Sequence, residues 1–317
     1  MELIQAAVSI LDQRPGIKGI YEQIEIPGRV CYGSTDKICD GSAEPFVHML
    51  EKSDHGAPME HGWVTLKCPG PGLSKYEHNP YSKTIIERTG EYYRTEHMDY
   101  PIEIYNYYVS TNYRVLYENG WLDDLQYLCE PTRFHEPRIT ASFTVDRFTG
   151  EEFLRHRKGS FNRESTRFID LMKDKFGSGS IKFITPCWCD ENLEQPTIDD
   201  FRELCVHVGA GLDEKFFDVW DYWVFALYSA EYSYGNLRRL GWTPEQARTV
   251  LPCAICSPLI MTAFLSDWIH FFNLRVLGTT GKPHPQAKQL AEPLMNMFIE
   301  RGLIKLEDGK IINTFGN

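Results

Sequence analysis

The chain has 317 residues, 42% of them hydrophobic and 24% charged, with a formal net charge of −11. That length and composition fit a soluble globular protein with a substantial core, and they exclude a fibrous or low-complexity chain. The acidic balance excludes the broad basic face that general nucleic-acid binding needs, and no apolar run approaches the roughly 20 residues of a membrane span.

In chain order, 19–26 and 28–32 read as two short elements of an α/β unit, followed by a helix opening near Ser42 with Phe46, Val47, Met49 and Leu50 at helical spacing. Residues 63–66 become strand-like, and Pro69-Gly70-Pro71-Gly72 then breaks the chain. A Tyr-rich region runs from there to about 137, with helices expected over 103–119 and 122–128. Apolar and small polar residues alternate over 139–145, the period of a half-buried strand. A helix from about 150 delivers Arg155, and the aromatic stretch 197–240 reads as helical. Thr243-Pro244-Glu245-Gln246 opens a helix with a capping threonine, an early proline and acids at the positive end. Ser257-Pro258 suggests the same device for a long apolar helix through Phe272 that ends near Gly278; a last helix spans 286–300, and 302–317 reads as a hairpin.

The start of the chain has no basic flank followed by an apolar core, so no export signal is expected. The odd number of cysteines, nine, points to reduced thiols in a cytoplasmic protein rather than a disulfide framework. Cys187-Trp188-Cys189 and Cys253-Ala254-Ile255-Cys256 lack a histidine pair and lie far apart in sequence, so no metal is expected.

The most informative stretch is 155–167, which gathers five cations and a histidine into thirteen residues of an otherwise acidic chain. Packing cations so closely costs self-repulsion unless a counter-charge sits among them. Guanidinium forks suit phosphate or carboxylate oxygens, which favours a small phosphorylated ligand, although a solvated basic face would leave the same composition.

The order of these residues resembles a known family. Arg155-His156-Arg157, seven residues and then Ser165 match the signature of the flavin-dependent thymidylate synthases, and Ser160, Asn162 and Arg167 fall where that family has Ser, Asn and Arg. Glu245-Gln246-Ala247-Arg248-Thr249-Val250-Leu251-Pro252 resembles its Glu-x-Ala-Arg-x-x-Leu-Pro segment. Phe271-Phe272-Asn273-Leu274-Arg275 and His284-Pro285-Gln286 resemble two further segments. Arg29-Val30-Cys31-Tyr32, Gly41-Ser42-Ala43-Glu44 and Glu60-His61 match upstream elements in the right order, leaving 69–137 as an expected insertion in a single domain spanning 1–317.

The resemblance implies an α/β (α+β) fold, a mixed or antiparallel sheet flanked by helices, in a homotetramer whose sites lie between subunits. It implies reductive methylation of dUMP to dTMP with FAD as cofactor and NADPH and methylenetetrahydrofolate as co-substrates. Ser165, Arg167 and Arg248 would hold the nucleotide phosphate, Glu152 and Arg163 would adjoin it, and Arg275 would contact the uracil and stabilise charge on its carbonyl oxygens. Ser165 shares the catalytic assignment with Arg275, as a phosphate ligand rather than a nucleophile. Arg155, His156, Arg157, His61, Asn162, His270 and His284 would line the flavin.

Several positions depart from the pattern. Arg163 replaces a usual Glu, and Glu152 a usual Gln, where a carboxylate would repel phosphate unless Arg163 compensates. Phe264 and Ser266 stand where the family has Asn and Arg, and Lys288 replaces a usual Glu. Two alternatives stay open: a related flavin enzyme that hydroxymethylates or accepts UMP, and a nucleotide-binding homologue without catalysis. Taken singly, His61 also reads as a core histidine and Arg248 as the partner of Glu245.

Overall fold

The computed structural model describes residues 1–93, 102–172, 179–189, 195–209 and 218–316. The first third contains β1 (Glu2–Ile4), β2 (Ala7–Leu11), α1 (Gly16–Cys31), α2 (Ala43–Lys52), α3 (Gly56–Met59) and β3 (Trp63–Pro69). The middle contains β4 (Lys83–Tyr93), β5 (Ile102–Asn112), α4 (Tyr113–Asn119), β6 (Arg138–Thr144), α5 (Arg147–Phe153), β7 (Ser160–Arg163) and β8 (Lys182–Ile184). There follow α6 (Ile198–Gly209), α7 (Val219–Arg239), α8 (Pro244–Ala247), β9 (Leu259–Phe264), α9 (Leu265–Phe272), α10 (Pro285–Glu300), β10 (Ile304–Glu307) and β11 (Lys310–Asn313).

A four-stranded sheet in the order β2-β6-β9-β7, antiparallel throughout, forms the middle layer. Along β9 the alternate residues Leu259, Met261 and Ala263 join the main core with Trp268, Phe271, Phe272, Leu290, Leu294 and Phe298 of α9 and α10. The intervening residues of β9 point the other way, where α1 and α3 meet β7. All six residues of β9 are buried and Thr262 alone among them is polar, so the strand shows no regular polar alternation. The long apolar helix expected from Ser257 to near Gly278 is therefore a strand followed by a short helix and a π-turn. A six-residue stretch with a single polar member carries no period that separates strand from helix.

A second core joins α1, α2 and α4 to a three-stranded antiparallel sheet, β3-β5-β4. The helix expected over 103–119 is β5 followed by α4, with the Asn112 side chain capping α4 by accepting from the Val115 N–H at 3.1 Å. Tyr and β-branched residues in β5 favour the pleated surface. The two short elements expected over 19–32 are one helix, α1, in which Gly28 lies so close to α2 that a Cβ would fall 2.5 Å from a Phe46 ring carbon. The expected elements over 42–50, 63–66, 139–145 and 286–300, and the terminal hairpin, are present as α2, β3, β6, α10 and β10–β11. Within the expected helical stretch 197–240, α6 and α7 form, and 210–217 lie outside the described residues. No helix among the described residues is long and apolar enough to cross a membrane.

Trp268 is the largest fully buried side chain; its ring meets Phe271, Phe272 and Phe298, and its Nε1–H donates to the Ile139 carbonyl at 3.0 Å. Trp268→Ala should cost about 3–5 kcal/mol through the cavity left behind. Trp268→Phe should cost about 1–2 kcal/mol, chiefly for the orphaned carbonyl. Urea midpoints measured on both variants check the ordering, and a Phe variant as unstable as the Ala one would contradict it.

Candidate functional site

Asp146 caps α5 by accepting from the Thr149 N–H at 2.9 Å, and Phe153, fully buried, pins the far end of that helix to the main core. The chain then turns sharply, carrying Arg155, His156, Arg157 and Lys158 past the helix end before β7 begins. Opposite this turn, α9 runs into a π-turn over Asn273–Leu277, which carries Arg275. A single irregular turn of this kind often marks a functional position.

Between these pieces lies a cavity of about 750 Å³, lined by Glu152, Arg155, His156, Arg157, Lys158, Met261, Asp267, His270, Leu274, Arg275, Lys282 and His284 among others. Seven of the residues assigned from the sequence therefore meet here: Glu152, Arg155, His156, Arg157, His270, Arg275 and His284. Arg275 is held on three sides. Its Nη1 donates to Glu152 Oε2 at 2.7 Å, its Nη2 to the Glu152 carbonyl at 2.7 Å, and its Nε to His156 Nε2 at 3.2 Å. Because Nε2 accepts, His156 is neutral with its proton on Nδ1. Burial, with the charges of Arg275 and His270 beside it, pushes its pKa down to about 4. Of the five guanidinium N–H groups, two remain available to a ligand. Arg155, Arg157 and Lys282 have no carboxylate within 4 Å among the described residues.

Arg163 does not compensate Glu152. It pairs with Glu151 at 2.7 Å, while Glu152 pairs with Arg275, so the acid at 152 is neutralised from α9's continuation rather than from β7. The Nε and Nη2 of Arg163 are buried without hydrogen-bond partners among the described residues, the latter 2.9 Å from where a Cβ on Gly150 would sit.

A second group of cations lies outside this cavity. Arg147 and Arg248 both reach Thr166 Oγ1, at 3.5 and 3.3 Å, with Ser165 and Arg167 beside them. Neither Arg147 nor Arg248 has a carboxylate partner among the described residues, and two guanidinium groups sharing one hydroxyl repel each other until an anion arrives. Glu245 is not the partner of Arg248; it pairs with Arg167 at 3.1 Å. Arg147 was missed at the sequence level because it stands eight residues before Arg155 at the start of α5, with no cation as an immediate neighbour.

His61 and Asn162, assigned to the cofactor from the sequence, lie in the interior at 0% and 5% exposure and off the cavity wall. His61 Nε2–H donates to Asn162 Oδ1 at 3.1 Å, and its Nδ1 accepts from the Thr262 hydroxyl at 2.7 Å, which Thr140 completes at 2.7 Å. This chain ties α3 to β7, β9 and β6. Complete burial, with Arg138 nearby, pushes the His61 pKa down to about 3. Glu60, the neighbouring acid, pairs instead with Arg114 of α4.

Both histidines have folded pKa values below the ordinary 6.5, so the unfolded chain binds more protons between those limits. Stability should be fully present above pH 6.5 and lost as pH falls through 4 and then 3, at about 1.4 kcal/mol per pH unit for each histidine. Urea unfolding from pH 7 to 4 tests this, and a flat profile would refute it; His61→Asn should flatten part of the slope.

The cysteines are all free thiols. Burial raises the pKa of Cys31, Cys129, Cys187, Cys189 and Cys256, the last to about 12, so none of these five presents a thiolate at neutral pH. Among the described residues no cluster of three or more His, Cys, Asp or Glu side chains could hold a metal ion.

A helix-flanked antiparallel sheet with an arginine-rich cavity at its helix ends makes an α+β protein suited to an oxyanion-bearing ligand. The family described as thymidylate synthase complementing protein (Thy1) matches residues 96–301, and the chain belongs to it, the family of the flavin-dependent thymidylate synthases. A flavin-dependent thymidylate synthase of Thermosipho africanus is 25% identical over 172 residues, 54% of this chain and 67% of that protein. The UMP/dUMP methylase PolB of Streptomyces cacaoi, solved with 5-Br dUMP, is 19% identical and covers 95% of this chain and 93% of its own, with a TM-score of 0.42. Its complex with 5-Br UMP gives 18% identity, coverage of 94% and 91%, and a TM-score of 0.41.

Proposed function

We propose that the protein is a flavin-dependent thymidylate synthase that methylates dUMP at C5, with FAD as cofactor and with methylenetetrahydrofolate and NADPH as co-substrates. The observation that carries this reading is Arg275, oriented by Glu152 and neutral His156 within a cavity that also presents Arg155, Arg157 and Lys282, which have no carboxylate partner among the described residues. The residues fit a flavin nucleotide: Met261 and Leu274 offer an apolar wall for a ring, and these cations offer partners for phosphate. When bound, the flavin supplies the two electrons that reduce the transferred one-carbon unit to a methyl group.

The chain's own residues bind and polarise. The two available N–H groups of Arg275 would donate to a uracil carbonyl, orienting the ring and stabilising negative charge on that oxygen in the enolate-like form whose C5 is nucleophilic. Glu152 and His156 fix that guanidinium, so no reorganisation is needed when charge appears. Arg147, Ser165, Arg167 and Arg248 hold the nucleotide phosphate. Arg248 and Arg275 lie in separate clusters within one chain, which supports a site completed between subunits of a cytoplasmic homotetramer. Residues 69–137 are read as an insertion within a single catalytic unit spanning 1–317.

The test is the visible spectrum of the purified protein, followed without oxygen as NADPH and then dUMP or UMP are added, with the product identified by mass. Bleaching of a flavin band near ~450 nm and a methylated dUMP product are expected. A hydroxymethylated product, or turnover of UMP alone, would replace this reading with the related flavin enzyme. A protein that takes up no flavin would overturn it.

A further inference from the structure

Position 266 is serine where the resembling family has arginine, and the structure shows what stands there. The Ser266 N–H donates to Glu136 Oε1 at 2.9 Å. The neighbouring Phe264 ring is buried, with the Arg138 guanidinium 4.8 Å and the Lys83 ammonium 5.6 Å from its centre. Neither side chain of this strand-to-helix corner offers a cation to the cavity.

Two loops supply cations instead. Lys158 is the first unspecified position after Arg155-His156-Arg157. It is 80% exposed, and its only carboxylate partner among the described residues, Asp267, lies 3.8 Å away, a weak and easily exchanged pair. Lys282 projects from the turn before α10. Gly278 there has φ +68°, and a Cβ on it would meet the Gly281 carbonyl oxygen at 2.8 Å, so the turn closes tightly only with glycine. Lys282 lines the cavity without a carboxylate partner among the described residues. Of the two acids in the cavity, Glu152 is committed to Arg275, which leaves Asp267 alone against Arg155, Arg157 and both lysines. Such an excess of positive charge is stabilised by a bound phosphate.

Resting on the reading of the cavity as a flavin nucleotide site, we propose that Lys158 and Lys282 hold the flavin's phosphate groups, supplying from two loops the cations that position 266 does not offer. They are binding residues that the signature does not specify, and each comes from a loop rather than from the π-turn that carries Arg275.

The test is titration of the intact protein with FAD and with riboflavin, which lacks phosphate, at low and high salt, for the unmodified chain and for K158Q, K282Q and the double variant. FAD affinity should fall about ten-fold for each substitution, the size of one lost charge-assisted hydrogen bond. Its salt dependence should become shallower, and riboflavin affinity should not change. Unchanged FAD affinity, or equal losses for FAD and riboflavin, would overturn the proposal and leave the synthase reading standing. Loss of dUMP affinity with FAD affinity intact would assign the lysines to the nucleotide and overturn it likewise. An unmodified protein that binds no FAD would overturn both.

Discussion

Arg275→Ala should lower the turnover of dUMP by about a hundred- to a thousand-fold, the loss typical of removing one preorganised donor to a developing oxyanion. Two effects add. The uracil carbonyl loses its partner, and Glu152, released from its 2.7 Å pair, becomes an unneutralised carboxylate in a site that must accept an anion. Arg275→Lys should recover little, because an ammonium cannot reach His156 and both Glu152 oxygen acceptors with one planar fork. Product formation from dUMP, compared with nucleotide affinity measured separately, checks this. A loss smaller than about ten-fold in the alanine variant would remove Arg275 from the chemistry.

Arg248→Ala and Arg147→Ala should each weaken dUMP binding by about ten- to a hundred-fold, the range of a hydrogen bond to a charged group. Binding of deoxyuridine, which has no phosphate, should change little, and the salt dependence of dUMP binding should become shallower in both variants. The convergence of both guanidinium groups on Thr166 predicts that the losses are not additive, since removing either relieves the repulsion felt by the other. Calorimetry on the single and double variants measures this, and equal losses for dUMP and deoxyuridine would move the phosphate elsewhere.

The parts of the fold legible in the sequence were those with a clear period or a clear cap. The alternation in β6, the Thr243 cap with Pro244 behind it, and α10 after His284 each carry their geometry in adjacent residues. β9 and β5 were not legible. β9 is buried on both faces, which erases alternation, and β5 ends where Asn112 starts a helix without any break in composition. The elements expected over 19–26 and 28–32 are one helix, and Gly28 within it serves the close approach of α1 to Phe46. In the site, Arg155, His156, Arg157, His270 and His284, assigned from the sequence to the flavin, and Arg275, assigned to the uracil, line one cavity. The order of residues could not reveal that Glu152 answers Arg275 rather than Arg163, because that pairing spans 123 positions. It also could not separate the buried polar chain through His61 and Asn162 from a cofactor contact, since both use the same residue types.

The π-turn at Asn273–Leu277 ties the site to the length of the chain rather than to its side chains alone. Removing one residue from this turn would let α9 continue as regular helix, in which each residue advances by about 100° around the axis. Arg275 would survive as an arginine yet point away from Glu152 and His156. Length variants here should thus be as damaging as loss of the arginine itself.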